Sequence, residues 1–145
     1  MTQKITATGS LFYSFETKRF LLLHRTDNKP CWGLVGGKTE EGETPWQGLQ
    51  REIQEEIRFD DKIIKTIPLE TFVSNDDKFH FHTYLCIVKN EFVPILNDEH
   101  DGWAWVSYNQ WPKPLHVGLT NTLRSRVSRT KLETVLTLID ELLEI

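Results

Sequence analysis

Residues 37–59, GKTEEGETPWQGLQREIQEEIRF, put three carboxylates and an arginine on one helical stretch behind a glycine-rich turn. Glu52, Glu55 and Glu56 follow directly on Arg51. Each residue turns a helix by about 100°, so the three acids fall within an arc of roughly 100°. Arg51 borders that arc on the Glu55 side. Trp46, Leu49, Ile53 and Ile57 form a separate arc, the core-facing stripe of an amphipathic helix. Acids crowded on one flank repel each other. Most acidic helix faces are simply solvated surface. Here the spacing, together with the glycine turn, points to a divalent cation held among the acids, and through it to chemistry on phosphate.

The start of this helix is specified locally. Thr44 is a good N-cap, Pro45 suits the first helical position, and Glu43 favours the positive end of the helix dipole. Gly36, Gly37 and Gly42 precede it. Glycines permit positive φ and close backbone approach, so the loop can fold tightly over the acidic face.

These residues resemble the box of the Nudix hydrolases: a glycine, a glutamate, then Arg-Glu-aliphatic-x-Glu-Glu-x-Gly-apolar at fixed spacing. In this chain the matching positions are Gly37, Glu43, Arg51, Glu52, Ile53, Glu55, Glu56 and Phe59. Arg58 stands where the family usually has glycine, at the helix exit. The preceding Trp32-Gly33-Leu34-Val35-Gly36-Gly37 is similar to the family's approach to the box, with Val35 where proline is common. So many fixed positions are far more specific than a lone glycine pattern. The resemblance implies an α/β/α sandwich with a mixed sheet between helices. It also implies a Mg²⁺-dependent hydrolase, with Mn²⁺ able to stand in, that cuts the P–O–P link of a nucleoside diphosphate joined to a group X. Glu55 and Glu56 are then the first metal ligands. Glu52 is a ligand or the general base, the Gly36 carbonyl is an extra ligand, and Glu43 braces Arg51. Glu99, in the Asn97–Asp101 acidic turn, is a further ligand or base.

The remaining composition fits an enzyme of one domain spanning 1–145. At 145 residues the chain can bury a real core. It has no apolar run of membrane-spanning length and no signal-peptide pattern at residues 1–4. Cys31 and Cys86 are the only cysteines; without a secretion signal they suggest free thiols and a cytoplasmic protein. A net charge of −4 argues against broad nucleic-acid binding but not against a polyphosphate that arrives with its metal. Dimers are common in the family, which leaves a homodimer open.

Periodicity predicts strands over 4–15 and 19–23 as a hairpin, a loop over 27–30 and a short strand over 32–35. Further strands are expected over 62–73, 79–88 and 103–108, and helices over 117–124 and 130–145. Phe79, Phe81, Leu85 and Ile87 should share a strand face. Leu132, Val135, Leu136, Ile139 and Leu143 should form the last helix's stripe.

Outside the box, Arg25 ends an apolar strand and could reach a phosphate. Tyr84 and Trp111 are candidate walls for a nucleobase. His80 and His82 share a strand face, and without matching partners they suggest a polar face rather than a zinc site. The downstream markers of ADP-ribose and dinucleoside polyphosphate hydrolases are absent: Val73, Ser74, Asn75 and Asp76 stand at those places. Nucleoside triphosphates, including oxidised ones, are therefore the first expectation, with ADP-ribose or nucleotide sugars as the alternative. A Nudix-type fold that binds nucleotides without turning them over is the alternative from another class.

Overall fold

The computed structural model describes residues 4–143. Its elements are β1 (Ile5–Ser14), β2 (Arg19–Arg25), β3 (Trp32–Gly33), β4 (Val35–Lys38), α1 (Pro45–Ile57), β5 (Lys65–Val73), β6 (Phe79–Val88), β7 (His100–Ser107), α2 (Val117–Arg124) and α3 (Arg126–Leu142). The seven strands form one mixed sheet in the order β3-β2-β1-β6-β5, with β7 pairing β2 and β4 pairing β1. β1 and β6 run parallel at its centre, and β1 is buried along most of its length, as a strand covered on both faces must be.

One cluster on the sheet joins Leu11, Tyr13, Phe20, Leu22, Leu85 and Ile87 to Leu119 of α2 and Leu132 and Ile139 of α3. The other joins Phe12, Leu21, Leu23 and Cys86 to Leu49, Ile53 and Ile57 of α1. The sheet therefore lies between α1 on one side and α2 and α3 on the other, the sandwich that the family resemblance implies.

A fork in β1 positions the site. Its C-terminal half pairs β2, with Ser14 opposite Arg19, whereas Ala7–Ser10 pairs β4. Gly36 makes this second pairing possible. A Cβ on Gly36, at φ +156°, would sit 2.0 Å from the Thr8 carbonyl oxygen, so only glycine lets β4 lie this close. The glycine-rich segment is accordingly strand at Gly36 and Gly37, not the turn predicted. The turn proper lies between Lys38 and α1.

The 4–15/19–23 hairpin is present, and α2 has its predicted bounds. The predicted 32–35 strand is interrupted at Leu34 and continues as β4, and β7 starts three residues earlier than expected. α3 starts four residues earlier, because Ser125 caps it by accepting from the Ser128 amide at 3.4 Å. The last two positions of the predicted 130–145 helix, and residues 1–3, lie outside the described residues. Pro68 is tolerated in β5 because this is an edge strand with a register shift between Pro68 and Glu70. Cys31 and Cys86 are free thiols. Among the described residues no helix is long and apolar enough to cross a membrane.

Candidate metal and phosphate site

α1 begins in a full capping box. The Gln47 amide donates to Thr44 Oγ1 at 3.2 Å and the Thr44 amide to Gln47 Oε1 at 2.9 Å. With the helix so started, Arg51 faces back toward the loop and gathers the acids. Its Nε donates to Glu43 Oε2 at 2.9 Å and its Nη2 to Glu43 Oε1 at 3.1 Å, a two-point fork. Nη1 reaches Glu52 Oε1 at 3.0 Å and Glu55 Oε2 at 3.1 Å, and Nη2 also donates to the Lys38 carbonyl at 3.0 Å. The bracing of Arg51 by Glu43 is thus present in the fold. Glu43 also accepts from the Glu40 amide at 2.7 Å. The Arg51 hydrogen bond, followed by that amide, holds the Glu43 carboxyl below its usual range. Arg51 is held still more firmly protonated, chiefly by Glu43.

Arg51's nitrogens are committed to Glu43, Glu52 and Glu55, and none reaches Glu56. Glu56 is 3% exposed. Its Oε1 accepts from the Gly36 amide at 2.7 Å, which ties α1 to β4. Burial pushes its carboxyl up to about 9; that amide opposes the rise, and Glu52 and Glu99 add to it. Burial also raises Glu52, with Arg51 opposing. A buried acid forced toward neutrality beside two others is a group whose charge a divalent cation would stabilise.

Glu99 arrives from far along the chain. β7 pairs β2 with Arg25 opposite His100, after a register shift at His24 and Arg25. The Thr26 amide and hydroxyl both donate to the Glu99 carbonyl, at 3.1 and 3.2 Å, and hold the turn in place. Ligand atoms of Glu56, Glu99 and His100 lie within 4.8 Å of one another. His100 is buried, and burial, followed by nearby Arg25, lowers its pKa, favouring the neutral ring that can bind metal. This histidine was not foreseen. It adjoins Glu99, but it enters the cavity only through the β2–β7 pairing and its register shift.

A cavity of about 560 Å³ opens over these groups, lined by Arg25, Gly36, Arg51, Glu52, Glu56, Glu99 and His100 among others. Five of the expected site residues besides Gly36 thus meet there: Arg25, Arg51, Glu52, Glu56 and Glu99. Glu43 supports from behind, and Glu55 stays beside Arg51 with its side chain 53% exposed. Tyr84 and Trp111 do not line this cavity. Tyr84 packs on Trp46 at 5.7 Å on the α1 face. Trp111 packs on Phe20 and Tyr108, at 5.4 and 5.7 Å. His80 bonds to Asp77 and His82 to Thr71, which accounts for both rings locally. The carboxylate oxygens of this donor set suit a hard divalent cation, with open positions for water and phosphate oxygens.

Comparison with known proteins bears on the family and the fold. The family model of the NUDIX domain matches residues 4–125. The dihydroneopterin triphosphate diphosphatase of Haemophilus influenzae is 33% identical over 112 residues, covering 67% of this chain and 70% of that protein. The structure of the Escherichia coli dihydroneopterin triphosphate pyrophosphohydrolase aligns with a TM-score of 0.55 at 25% identity, over 70% of this chain and 80% of that one. A MutT/nudix family protein from Enterococcus faecalis aligns with a TM-score of 0.61 at 20% identity over 72% of this chain, which spans only 44% of that protein.

Proposed function

This chain belongs to the Nudix hydrolase family, and on that footing we propose that it is a Mg²⁺-dependent pyrophosphohydrolase of small triphosphates. The observation that carries the proposal is Glu56: a buried carboxyl beside Glu52 and Glu99, with Arg51 already engaged elsewhere. Mg²⁺, or Mn²⁺ in its place, would be held by Glu56, Glu52 and Glu99, with His100 and the Gly36 carbonyl as further donors, while Glu55 stays paired with Arg51. Bound there, the cation neutralises phosphate charge and lowers the pKa of the attacking water.

The chain's own residues do the rest. Arg51, locked by Glu43, holds Glu52 in place from one side and leaves its second oxygen for the cavity. Glu52 serves as ligand or as general base, a role its raised pKa suits. Arg25, at the rim, pairs with Asp27 at 3.1 Å and can turn to a phosphate oxygen. No protein nucleophile is needed.

The substrate is first a nucleoside triphosphate, oxidised ones included. Two relatives named for dihydroneopterin triphosphate support a triphosphate carried on a ring system. The test is release of pyrophosphate or monophosphate from a panel of nucleoside triphosphates, dihydroneopterin triphosphate, ADP-ribose and nucleotide sugars, with Mg²⁺ and with EDTA. Turnover of a triphosphate that stops in EDTA is expected. Tight binding of the panel without turnover in Mg²⁺ would overturn the proposal in favour of a nucleotide sensor.

A further inference from the structure

The acid cavity continues into two others. A smaller one of about 240 Å³ shares Arg25, Gly36, Gly37 and Lys38 with it. That space in turn shares Phe79, Phe81 and His116 with a slot of about 560 Å³ between β5, β6 and α2. The slot lies within the roughly 300–1,000 Å³ typical of small-molecule sites. One of its walls is aromatic. Phe72, Phe79 and Phe81 stand in a row, with ring centroids 6.3 and 6.2 Å apart. Gly9 lets this wall lie close to β1, because a Cβ there would come within 3.0 Å of the Phe81 ring. A flat heteroaromatic ring stacks on such a surface whatever its identity.

One group in the slot can discriminate between rings. Glu70 lines it, and the register shift between Pro68 and Glu70 sets the direction of this side chain. Its two oxygens accept from the hydroxyls of Thr122, at 2.7 Å, and Ser128, at 2.6 Å. Both donors are buried, so the carboxylate is fixed before any ligand arrives. Its partners are hydroxyls rather than a cation, and each oxygen keeps a second lone pair. A carboxylate is a costly way to pin α2 and α3 to β5, since an apolar side chain would pack there without desolvating a charge. Its chemistry is accounted for if it meets adjacent ring N–H and amino donors.

We propose that this slot takes the ring of the substrate, and that Glu70 selects a 2-amino-4-oxopyrimidine edge, as in guanine or a pterin. The proposal rests on the triphosphate reading of the neighbouring cavity. The N–H and the exocyclic amino group of that edge both donate to the carboxylate. Adenine turns a ring acceptor toward it, and hypoxanthine lacks the amino group. A site built around hydrogen bonds rejects analogues that cannot make them.

Binding separates this proposal from the catalytic one. Calorimetry on the full chain with GMP, IMP, AMP and neopterin needs no turnover. GMP or neopterin should bind about tenfold or more tighter than IMP, and AMP more weakly still. The tighter of GMP and neopterin identifies the natural ring. Glu70→Gln should collapse the GMP-to-AMP ratio toward one while its melting shows a folded protein; a purely structural Glu70 would weaken all ligands alike. Equal affinity for GMP, IMP and AMP in the unmodified protein, or an unchanged ratio in the variant, overturns the proposal. Selective binding without hydrolysis of any triphosphate would sink the enzymatic reading and leave the slot standing.

Discussion

The Gly36 amide donates to Glu56 Oε1 at 2.7 Å, so the residue that lets β4 approach β1 also fixes the most buried acid of the cavity. Glu56→Gln keeps an oxygen for that amide and removes only the charge. Loss of groups that merely support a metal ligand costs about 10–100-fold. Loss of Glu56 itself should exceed that in kcat/KM, with far-ultraviolet circular dichroism unchanged. A steady-state assay showing near-normal rate would take Glu56 out of the site.

The same carboxyl makes the metal-free protein sensitive to alkali. Its pKa is about 9 in the fold against a reference of 4.5. A carboxyl that holds its proton more tightly when folded contributes stability that is full below the lower value and lost as pH rises through the upper one. Burial lowers His82, His100 and His116, so their titrations act on the acid side of neutrality. The melting temperature in EDTA should therefore fall between pH 7 and 9. Excess Mg²⁺ should flatten that slope, because the cation takes over from the proton, and Glu56→Gln should abolish it. A pH-independent melting point in EDTA would contradict the burial argument.

Glu55 differs from Glu56 although the two are adjacent. Its side chain is 53% exposed and bound to Arg51 Nη1 at 3.1 Å. Glu55→Gln should reduce kcat/KM at least about tenfold less than Glu56→Gln, since its main effect passes through the set of Arg51 rather than through the cavity. Parallel kinetics on the two variants decide the matter, and equal losses would make Glu55 a full ligand.

What could be foreseen in this site was local. Arg51, Glu52, Glu55 and Glu56 are brought together by helical spacing, and Thr44 and Pro45 begin the helix whatever the rest of the chain does. His100 was hidden because it reaches the cavity only through the β2–β7 pairing and its register shift at His24 and Arg25. Glu70 was hidden likewise: its partners Thr122 and Ser128 lie on helices more than fifty residues away. Tyr84 could have been assigned from alternation, since it shares a β6 face with Cys86 and Val88, which pack toward α1. Trp111 is claimed by Phe20 and Tyr108, an outcome of aromatic packing that no spacing rule anticipates.

Arg58 occupies the family's glycine position, and the backbone shows why glycine is usual there. Arg58 closes α1 at φ 48° and ψ 43°, in the left-handed region. A side chain in that region costs about 1–2 kcal/mol. Glycine avoids this cost but gives back about 0.5–1 kcal/mol through the freer unfolded chain. The Gln54 side-chain amide donates to the Phe59 carbonyl and holds the exit in its present course, independently of Arg58. Arg58→Gly should therefore raise stability by about 0.5–1 kcal/mol in a urea titration, with the m-value unchanged. Arg58 does not line the acid cavity, so kcat/KM should stay within about twofold, as for surface changes remote from a site. A destabilised Arg58→Gly variant would mean that the arginine makes a contact outweighing its strained backbone. A large loss of activity at unchanged stability would mean that the helix exit governs how Glu55 and Glu56 are presented.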